Sequence, residues 1–399
     1  MKTRVGIVGA GPAGLMLSHL LHLAGIESVV LERQTRDYIE RRVRAGVLEQ
    51  ATVDLLNQSG LGERMRREGM THHGIHLRFG GGSHRIDFGE LTGGRGVTVY
   101  GQQEVVKDLV RERLAAGGQL RFSVEQLSLH GIDTPNPRIR FTSDGDPCEL
   151  ECDFVVGCDG SHGVCRSAIP DGVLTVFERT YPFAWLGILA EAAPSHDELI
   201  YASHERGFAL FSMRSPRLTR LYLQVAPDER IEDWSDSAIW SELCTRLETD
   251  DGWRPNQGPI VEKVITGMRS SVVEPMQYGR LFLAGDAAHI VPPTGAKGMN
   301  LAMADVRVLA WALTAYFDSG DTAQLDAYSR RCLKRVWRAE HFSWWMTSML
   351  HRFPSDDSFQ TRMQRAQLEY VVRSRAASAS LAENYVGMPM HWANEERKR

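Results

Sequence analysis

The 399-residue sequence lacks any apolar run long enough to span a membrane, which takes about 18 residues or more. It also lacks an excess of positive charge, because 46 Lys and Arg stand against 50 Asp and Glu, a formal net charge of -4. Such a balance gives no general attraction to nucleic acid or to an anionic membrane. The first predicted strand begins too early to leave room for a secretory signal. We therefore predict a cytoplasmic globular protein without nucleic-acid or membrane partners.

Cysteine is scarce, with 6 in the chain, and no two of them form a C-x-x-C pair. A dithiol redox centre and a zinc knuckle both need closely paired cysteines. The group between Cys148 and Cys165 fits no ligand spacing, and Cys152 and Cys158 flank an apolar run. We therefore predict buried thiols and no metal site.

The start of the chain carries a strand, a glycine-rich turn and a helix. An apolar run ends in Gly9-x-Gly11-x-x-Gly14, after which leucines recur at helical spacing. In such a turn the first glycine makes the bend, the second admits a pyrophosphate and the third lets the helix pack closely. A second apolar strand follows and ends in Glu32, near the spacing of a ribose partner. This pattern predicts a dinucleotide site.

Two later apolar strands also end in acidic turns. One runs into Asp159-Gly160 and the other into Gly285-Asp286, just before a helical stretch. A carboxylate at a strand end suits the hydroxyl donors of a ribose. Together with the glycine turn, these strand ends predict a Rossmann-like α/β domain.

The middle of the chain alternates apolar and polar residues near 198–203, 207–214 and 218–225, which is typical of an antiparallel sheet. If the faces agree, Ser212, Arg214 and Tyr222 converge, and a guanidinium with two hydroxyls suits a carboxylate. Tyr201 would place a phenol in an apolar pocket nearby. The alternation alone also allows a surface sheet with a solvated arginine.

Three regions follow from these patterns. We predict a dinucleotide-binding domain over 1–180, completed by 269–300, and an inserted antiparallel substrate domain over 181–268. Residues 301–399 show helical periodicity and an aromatic-rich stretch around 337–353, which we interpret as core or subunit interface.

The sequence resembles the group A flavoprotein monooxygenases nearly from end to end. The narrowest motifs of this resemblance are Pro292-Pro293-Thr294-Gly295-Ala296-Lys297-Gly298, Phe342-Ser343-Trp344-Trp345-Met346-Thr347 and Glu383-Asn384-Tyr385-Val386-Gly387. The resemblance implies tightly but non-covalently bound FAD, NADPH as co-substrate, O2 and a homodimer. It also implies hydroxylation of 4-hydroxybenzoate at C3 to 3,4-dihydroxybenzoate, through a flavin C4a-hydroperoxide.

The resemblance also implies roles for individual residues. The residues implied for FAD are Gly9, Gly11, Gly14, Glu32, Arg42, Arg44, Val47, Gln102, Asp159, Asp286, Met299 and Asn300. Those implied for the substrate are Tyr201, Ser212, Met213, Arg214, Tyr222 and Pro293. Those implied for NADPH are Arg33, Gln34, Tyr38, Arg42, Arg44, His162 and Arg269. The implied catalytic residues are Tyr201, Tyr385, His72 and Pro293, and Arg220 would contact the mobile flavin.

Three alternatives stay open on the sequence. Either His72 or His73 would end the proton chain from Tyr201 and Tyr385. The substrate would be another aromatic acid, such as 3-hydroxybenzoate or 3,4-dihydroxybenzoate, if the pocket differs. The arginine-rich run over 33–44 would be a solvated loop rather than a phosphate site, and preference for NADPH over NADH depends on it.

Overall fold

The structure is a computed structural model that describes residues 1–42 and 46–389. Its strands are β1 (Lys2–Val8), β2 (Ser28–Leu31), β3 (Val47–Glu49), β4 (Met70–His72), β5 (Gly74–Phe79), β6 (Gly82–Asp87), β7 (Val97–Val99), β8 (Gln119–Arg121), β9 (Glu125–His130), β10 (Arg138–Ser143), β11 (Asp146–Gly157), β12 (Thr175–Ala190), β13 (Leu199–His204), β14 (Gly207–Ser215), β15 (Leu218–Val225), β16 (Ile260–Glu274), β17 (Gln277–Tyr278), β18 (Leu281–Leu283) and β19 (His289–Ile290). Its helices are α1 (Pro12–Leu23), α2 (Arg36–Arg41), α3 (Gln50–Gln58), α4 (Gly62–Glu68), α5 (Phe88–Thr92), α6 (Gln102–Ala115), α7 (Val164–Ser167), α8 (Asp236–Leu247), α9 (Gly298–Ser319), α10 (Ala323–Asp326), α11 (Tyr328–Leu350), α12 (Ser358–Arg373) and α13 (Arg375–Val386).

The first sheet contains the predicted dinucleotide strands. Its order is β17-β18-β11-β1-β2-β8, and the pairs from β18 to β8 are parallel. Helices α1, α6 and α9 pack beside it, so β1 and β2 are buried on both faces, as the continuous apolar runs predict. Strands β9 and β10 extend the sheet by antiparallel pairing with β11.

The second sheet has the order β19-β16-β12-β15-β14-β13-β5-β6. Its pairs are antiparallel except for β13 beside β5, and the three strands that the alternation predicts are β13, β14 and β15. Strands β12 and β16 pair from Thr175 opposite Glu274 onward, so the predicted limits at 180 and 268 fall inside them. Strands β5 and β6 also join from outside 181–268. The division into 1–180, 181–268 and 301–399 stays a prediction.

The two faces of the second sheet are covered differently. One face carries Ile200, Phe211 and Leu221, which pack against α8. The other carries Tyr201 and Leu210, which share a cluster with side chains of α11, α12 and α13. Because successive strand residues point to opposite sides, this second face is the one on which the predicted pocket residues lie.

A third, small sheet has the order β3-β7-β4, and its strand β4 directly precedes β5 of the second sheet in the chain. Throughout residues 1–42 and 46–389, no helix combines the length and the apolar character that crossing a bilayer requires.

Candidate active site

The carboxyl ends of the central parallel strands meet at one edge of the first sheet. Strands β18, β11, β1 and β2 are consecutive neighbours there, so all three predicted turns lie side by side. The backbone ties them together: the Cys158 N–H donates to the Val8 carbonyl at 2.7 Å, and the Ala284 N–H donates to the Gly157 carbonyl at 2.9 Å. Ligands of open α/β sheets bind at such an edge.

The glycine turn leaves an open cradle at this edge. A Cβ atom added at Gly14 would overlap the Gly9 carbonyl oxygen, whereas one added at Gly11 would meet no atom of the described residues within 4 Å. The Gly14 contact therefore belongs to helix packing, and the space beside Gly11 is free for a pyrophosphate at the start of α1. Glu32 is fixed beside it, since its Oε2 accepts from the Ala10 N–H at 2.7 Å.

The two acidic turns offer acceptors to the same space. Asp159 accepts from the Cys165 N–H through Oδ2 at 2.9 Å, while its buried Oδ1 has no partner among the described residues. Asp286 is exposed at the end of β18. A buried acceptor without a donor is uncommon and fits a ligand hydroxyl. The cradle at Gly11 and this free carboxylate oxygen together fit the pyrophosphate and ribose of an FAD-type cofactor.

Asn300 uses its whole side-chain amide within the protein. Its Oδ1 accepts from the Glu49 N–H at 2.9 Å and from the Thr52 hydroxyl at 2.8 Å. Its Nδ2 donates to the carbonyls of Val47 at 2.9 Å and Ala296 at 2.8 Å. The side chain therefore fastens β3 to the start of α9, so an FAD contact at this position would come from its backbone.

The other residues implied for the two nucleotides lie mostly near the surface. Gln102 and Met299 are half-buried at the starts of α6 and α9. The side chains implied for NADPH that are exposed or half-buried are Arg33, Gln34, Tyr38, Arg42, His162 and Arg269. The Arg42 guanidinium lies 5.8 Å from the centre of the Tyr38 ring. Arg44 lies outside the described residues.

The pocket face of the second sheet brings aromatic residues together. Tyr201 pairs with Leu210, and Leu210 pairs with Tyr222 on the next strand. Trp185 packs on this face, with its ring centre 4.9 Å from that of Tyr222 and 5.2 Å from that of Phe208. The result is an apolar wall with phenols at its edge.

Arg214 lies at one end of this wall with an unused donor. Its Nη1 donates to the Ser212 hydroxyl at 3.0 Å and to the Met213 carbonyl at 2.8 Å. Its Nε is buried without a partner among the described residues. Burial lowers the pKa of Arg214, and the nearby Tyr222 phenol opposes that change. A buried cation with a free N–H fits a carboxylate ligand.

Met213 itself turns away from the pocket. Its side chain is 2% exposed and packs with Ala209 and Phe211 in the cluster on the α8 side. The substrate role implied for Met213 would therefore depend on its carbonyl, which Arg214 contacts. The cause is the two-residue period of the strand, which puts Ser212 and Met213 on opposite faces.

Tyr201 and Tyr385 meet at the other end of the wall. Their hydroxyl oxygens are 2.5 Å apart, although 184 residues separate them in the chain. Both side chains are 1% exposed, and the Tyr385 ring stacks on Phe88 at 5.0 Å. Burial raises the pKa of both phenols above the ordinary value. The pair is therefore an uncharged hydroxyl chain along which a proton can pass.

His72 and His73 differ in their surroundings. His72 is 2% exposed, and burial lowers its pKa to about 4, whereas His73 is exposed. Both ring nitrogens of His72 lack a partner among the described residues, so no direct hydrogen bond joins it to Tyr385. A proton passing between them would need a bridging water. The role of His72 stays a prediction.

Pro293 begins a turn that is tied to helix α11. Its ring is exposed, and its carbonyl accepts from the Ala296 N–H at 2.9 Å. The next residue is anchored, because the hydroxyls of Thr294 and Thr347 are 2.8 Å apart. The turn is therefore tied to α11 through Thr294, and the substrate role implied for Pro293 stays a prediction. Among residues 1–42 and 46–389, no cluster of His, Cys, Asp and Glu has the makings of a metal site.

Comparison with known proteins decides the family. Residues 2–343 match the FAD binding domain family. The chain belongs to this family of FAD-dependent monooxygenases. It is 49% identical over 389 residues to p-hydroxybenzoate hydroxylase of Acinetobacter baylyi, covering 98% of this chain and 96% of that protein. The α/β fold class, the monooxygenase class and the FAD cofactor are thereby confirmed.

More distant proteins of the monooxygenase family share the architecture. Rifampicin monooxygenase of Streptomyces venezuelae is 29% identical over 343 residues, which cover 81% of this chain and 66% of that protein. The crystal structure of p-nitrophenol 4-monooxygenase from Pseudomonas putida superposes with a TM-score of 0.83 at 20% identity, covering 98% of this chain and 100% of the other. At that identity the likeness shows the fold alone.

The FAD-dependent monooxygenase also contains a buried ion network that the sequence reasoning missed. Lys297 Nζ donates to Glu49 Oε1 at 2.7 Å and to the Tyr385 carbonyl at 2.9 Å. Arg335 donates to the other Glu49 oxygen at 2.7 Å. Burial by itself would raise the pKa of Glu49, but the two cations outweigh that effect and hold this pKa below its ordinary value. The one sequence signal for this ion network is Lys297, a charged residue within a loop of Gly, Pro and Ala.

A second missed residue of the monooxygenase is His351. Its Nε2 lies 2.7 Å from the Trp185 indole nitrogen, and its ring stacks on Phe208 at 4.2 Å. Burial lowers the pKa of His351 to about 3, so the ring is neutral and accepts the indole N–H. Helical periodicity alone gives no reason to connect this position with the sheet.

Proposed function

We propose that this chain is a 4-hydroxybenzoate 3-monooxygenase that uses NADPH and O2. The observation that carries the proposal is the Nε of Arg214, which is buried and has no partner within the described part of the chain, on the sheet face that also bears Tyr201. The relative from Acinetobacter baylyi bears the name p-hydroxybenzoate hydroxylase, which supports the same substrate.

The acid end of the proposed substrate site is built from one strand. Arg214 and Ser212 lie two residues apart and contact each other, so a carboxylate can accept from both at once. From Ser212 back to Leu210, which pairs with Tyr201, the strand rises about 7 Å. That spacing suits a benzene ring with a substituent at each end, its faces against Leu210 and Trp185.

The phenol end activates the ring. A phenolate is a far stronger nucleophile than a phenol, so removal of the substrate proton favours hydroxylation beside the oxygen. The Tyr201 hydroxyl accepts a hydrogen bond from the substrate hydroxyl, and the proton moves on to Tyr385 across the 2.5 Å contact. Because both residues have raised pKa values, neither stays ionised, and the proton continues towards His72 and solvent.

The chemistry that FAD supplies when bound is electron uptake from NADPH and activation of O2 for transfer to the ring. The protein holds it through the glycine turn, Glu32, Asp159 and Asp286. The exposed Arg33 and Arg42 beside Tyr38 support recognition of the 2′-phosphate of NADPH by this surface. Use of that nucleotide supports a cytoplasmic location.

A coupled oxidation assay tests the proposal. NADPH consumption is followed with 4-hydroxybenzoate, 3-hydroxybenzoate and 3,4-dihydroxybenzoate in turn, the product is identified, and peroxide is measured. We expect 3,4-dihydroxybenzoate to form from 4-hydroxybenzoate in near-equal amount to the NADPH consumed. Efficient hydroxylation of one of the other acids instead would overturn the substrate assignment, and equal rates with NADH would overturn the nucleotide preference.

The proposal extends to a homodimer through the C-terminal helices. On α12, Phe359, Met363 and Tyr370 are 67%, 59% and 62% exposed and fall on one helical face. An exposed apolar stripe of this kind marks an association surface. Sedimentation of the Phe359→Glu, Met363→Glu double variant should give a monomer, while Leu23→Glu, at another exposed apolar position, should sediment as the wild type.

A further inference from the structure

Arg220 is a buried cation whose carboxylate partner lies two strands away in the second sheet. The residue is 5% exposed on β15, and its Nη1 donates to Glu262 Oε1 on β16 at 3.0 Å. Leu189 of β12 lies between them, in register with both. The Glu262 side chain is 38% exposed, so the pair joins the interior to the surface.

The same guanidinium continues into the pocket. Its Cζ lies 5.3 Å from the centre of the Tyr222 ring, and its Nη2 and the Tyr222 ring both crowd the position of Gly187. A Cβ atom at Gly187 would come within 2.9 Å of Nη2 and 3.3 Å of the ring. Gly187 therefore makes the room in which Arg220 and Tyr222 lie together.

Tyr222 connects this pair to Arg214. Burial by itself raises the pKa of Tyr222, but the guanidiniums of Arg214 and Arg220 outweigh it, and the pKa lies below its ordinary value. The phenol is therefore polarised between two cations. Contacts therefore run from Glu262 through Arg220 to Tyr222, and Arg214 acts on the same phenol through its charge.

We propose that Glu262 is a positioning residue that holds Arg220 beside Tyr222, so that Arg220 would act on bound flavin from a fixed place. The inference rests on the proposed function, which gives Arg214 and Arg220 their ligands. A buried cation that loses its carboxylate is left uncompensated and moves towards another partner or towards solvent. Because Arg214 keeps Ser212 and the Met213 carbonyl, its grip on an acid does not depend on Glu262 directly.

The test compares FAD-loaded wild type with Glu262→Gln. Affinity for 4-hydroxybenzoate is measured from the change in flavin absorbance, and anaerobic flavin reduction by NADPH is followed with and without that acid. We expect affinity for the acid to stay within about twofold, while the rate of reduction with acid bound falls by about fivefold or more, in the range of couplings between neighbouring residues. A purely structural change would weaken both together.

Matched variants distinguish a positioning role of Glu262 from a general disturbance of strand β16. Lys263 follows Glu262 on β16 and pairs with Asp236 at 3.0 Å, so Asp236→Asn removes an ion pair from the same strand without touching Arg220. That variant should behave as the wild type, and Glu262→Asp should recover most of the reduction rate because it restores the charge. When Arg220 is already changed to Lys, adding Glu262→Gln should change the logarithm of the reduction rate by less than about half as much as it does in the wild type.

Each of these measurements either supports or overturns the positioning role of Glu262. Unchanged reduction in Glu262→Gln, an equal loss in Asp236→Asn, or full additivity with Arg220→Lys would overturn the inference. If Glu262→Gln fails to retain FAD, Glu262→Asp carries the test: a partial loss of stimulated reduction with unchanged affinity for the acid supports the inference, and a rate equal to that of the wild type overturns it. Failure of the proposed function is distinct, since wild type itself would then give no absorbance change and no stimulated reduction with 4-hydroxybenzoate.

Discussion

The cofactor edge and the substrate face of this protein are built in opposite ways. At the cofactor edge the site consists of backbone and open space, as at Gly11, where an added Cβ would meet no described atom within 4 Å. On the substrate face it consists of polar side-chain atoms already enclosed by the protein, such as the buried Nε of Arg214, which has no partner in residues 1–42 and 46–389. The first site is therefore damaged by adding atoms, and the second by removing them.

The difference follows from what each ligand needs. A pyrophosphate is held by many backbone N–H groups and the start of a helix, so its site tolerates no side chain in the way. A small aromatic acid offers one carboxylate and one hydroxyl, so its site depends on a few polar groups in an apolar wall. Each prediction below changes one of these two kinds of site.

The effect with the widest reach is expected at the glycine turn, where both stability and cofactor binding change. Gly14→Ala forces a Cβ against the Gly9 carbonyl, an overpacking that costs about 1–3 kcal/mol and displaces α1. Gly11→Ala adds the same methyl group to open space, so the unfolding free energy of the apoprotein should change by no more than about 0.5 kcal/mol. Yet FAD affinity should fall by at least tenfold (~1.4 kcal/mol), as measured by fluorescence titration of the apoprotein. Wild-type FAD affinity in Gly11→Ala would mean that the cradle lies elsewhere.

The next effect tests the acid end of the pocket. Arg214→Gln removes a buried charge from the proposed carboxylate site, which costs about 2–5 kcal/mol of binding. The dissociation constant of 4-hydroxybenzoate, measured from flavin absorbance, should rise by about 100-fold. The neighbouring exposed Arg217→Gln is the matched control and should bind as the wild type. Equal losses in the two variants would point to a general effect of charge and not to a carboxylate site.

The third effect falls on turnover rather than on binding and is expected when the phenol pair is cut. Tyr201→Phe keeps the apolar ring but removes the hydroxyl that contacts Tyr385. Proton transfer of this kind contributes about 10²-fold or more, so ring hydroxylation should fall by that order while NADPH oxidation continues and peroxide appears. Tyr181→Phe, a buried tyrosine whose hydroxyl lies near Ser270 instead, should keep hydroxylation. Undiminished product from Tyr201→Phe would remove this residue from the mechanism.

The smallest effect concerns pH and the two histidines. Burial holds the pKa of His72 at about 4, below its ordinary value of 6.5. Between those values the unfolded chain binds a proton that the folded chain does not, so stability falls as pH drops, by about 2 kcal/mol between pH 7 and pH 5. Urea unfolding at the two pH values should show a weaker decline in His72→Gln and the wild-type decline in the exposed His73→Gln. The reverse result would assign the buried titration to His73.

Local patterns explain how much of the fold was predictable. The Gly9 to Gly14 turn lies between a strand and a helix that are continuous in sequence, so spacing alone predicts it. The alternation around Tyr201, Ser212 and Tyr222 predicts β13 to β15, because the side-chain period of a strand is fixed. The same period predicts which face Arg214 shares with Ser212.

The limits of the second sheet were harder to predict from local sequence patterns. Strands β5 and β6 join it from residues 74–87, through the parallel pairing of β5 with β13. Strand β12 begins at Thr175, where six residues of its exposed half carry no apolar alternation that marks a sheet. Pairing partners decide membership of a sheet, and partners distant in sequence leave no local trace.

Local sequence specifies the chemistry available to this protein: the glycine cradle, the acids at strand ends, and a face bearing arginine and tyrosine. Which of these groups meet depends on tertiary packing. Tyr201 reaches Tyr385 across 184 residues, and Arg220 reaches Glu262 over an intervening strand. Such contacts depend on how helices and strands pack, whereas turns and faces depend on neighbours in the chain, and only the latter leave a readable period.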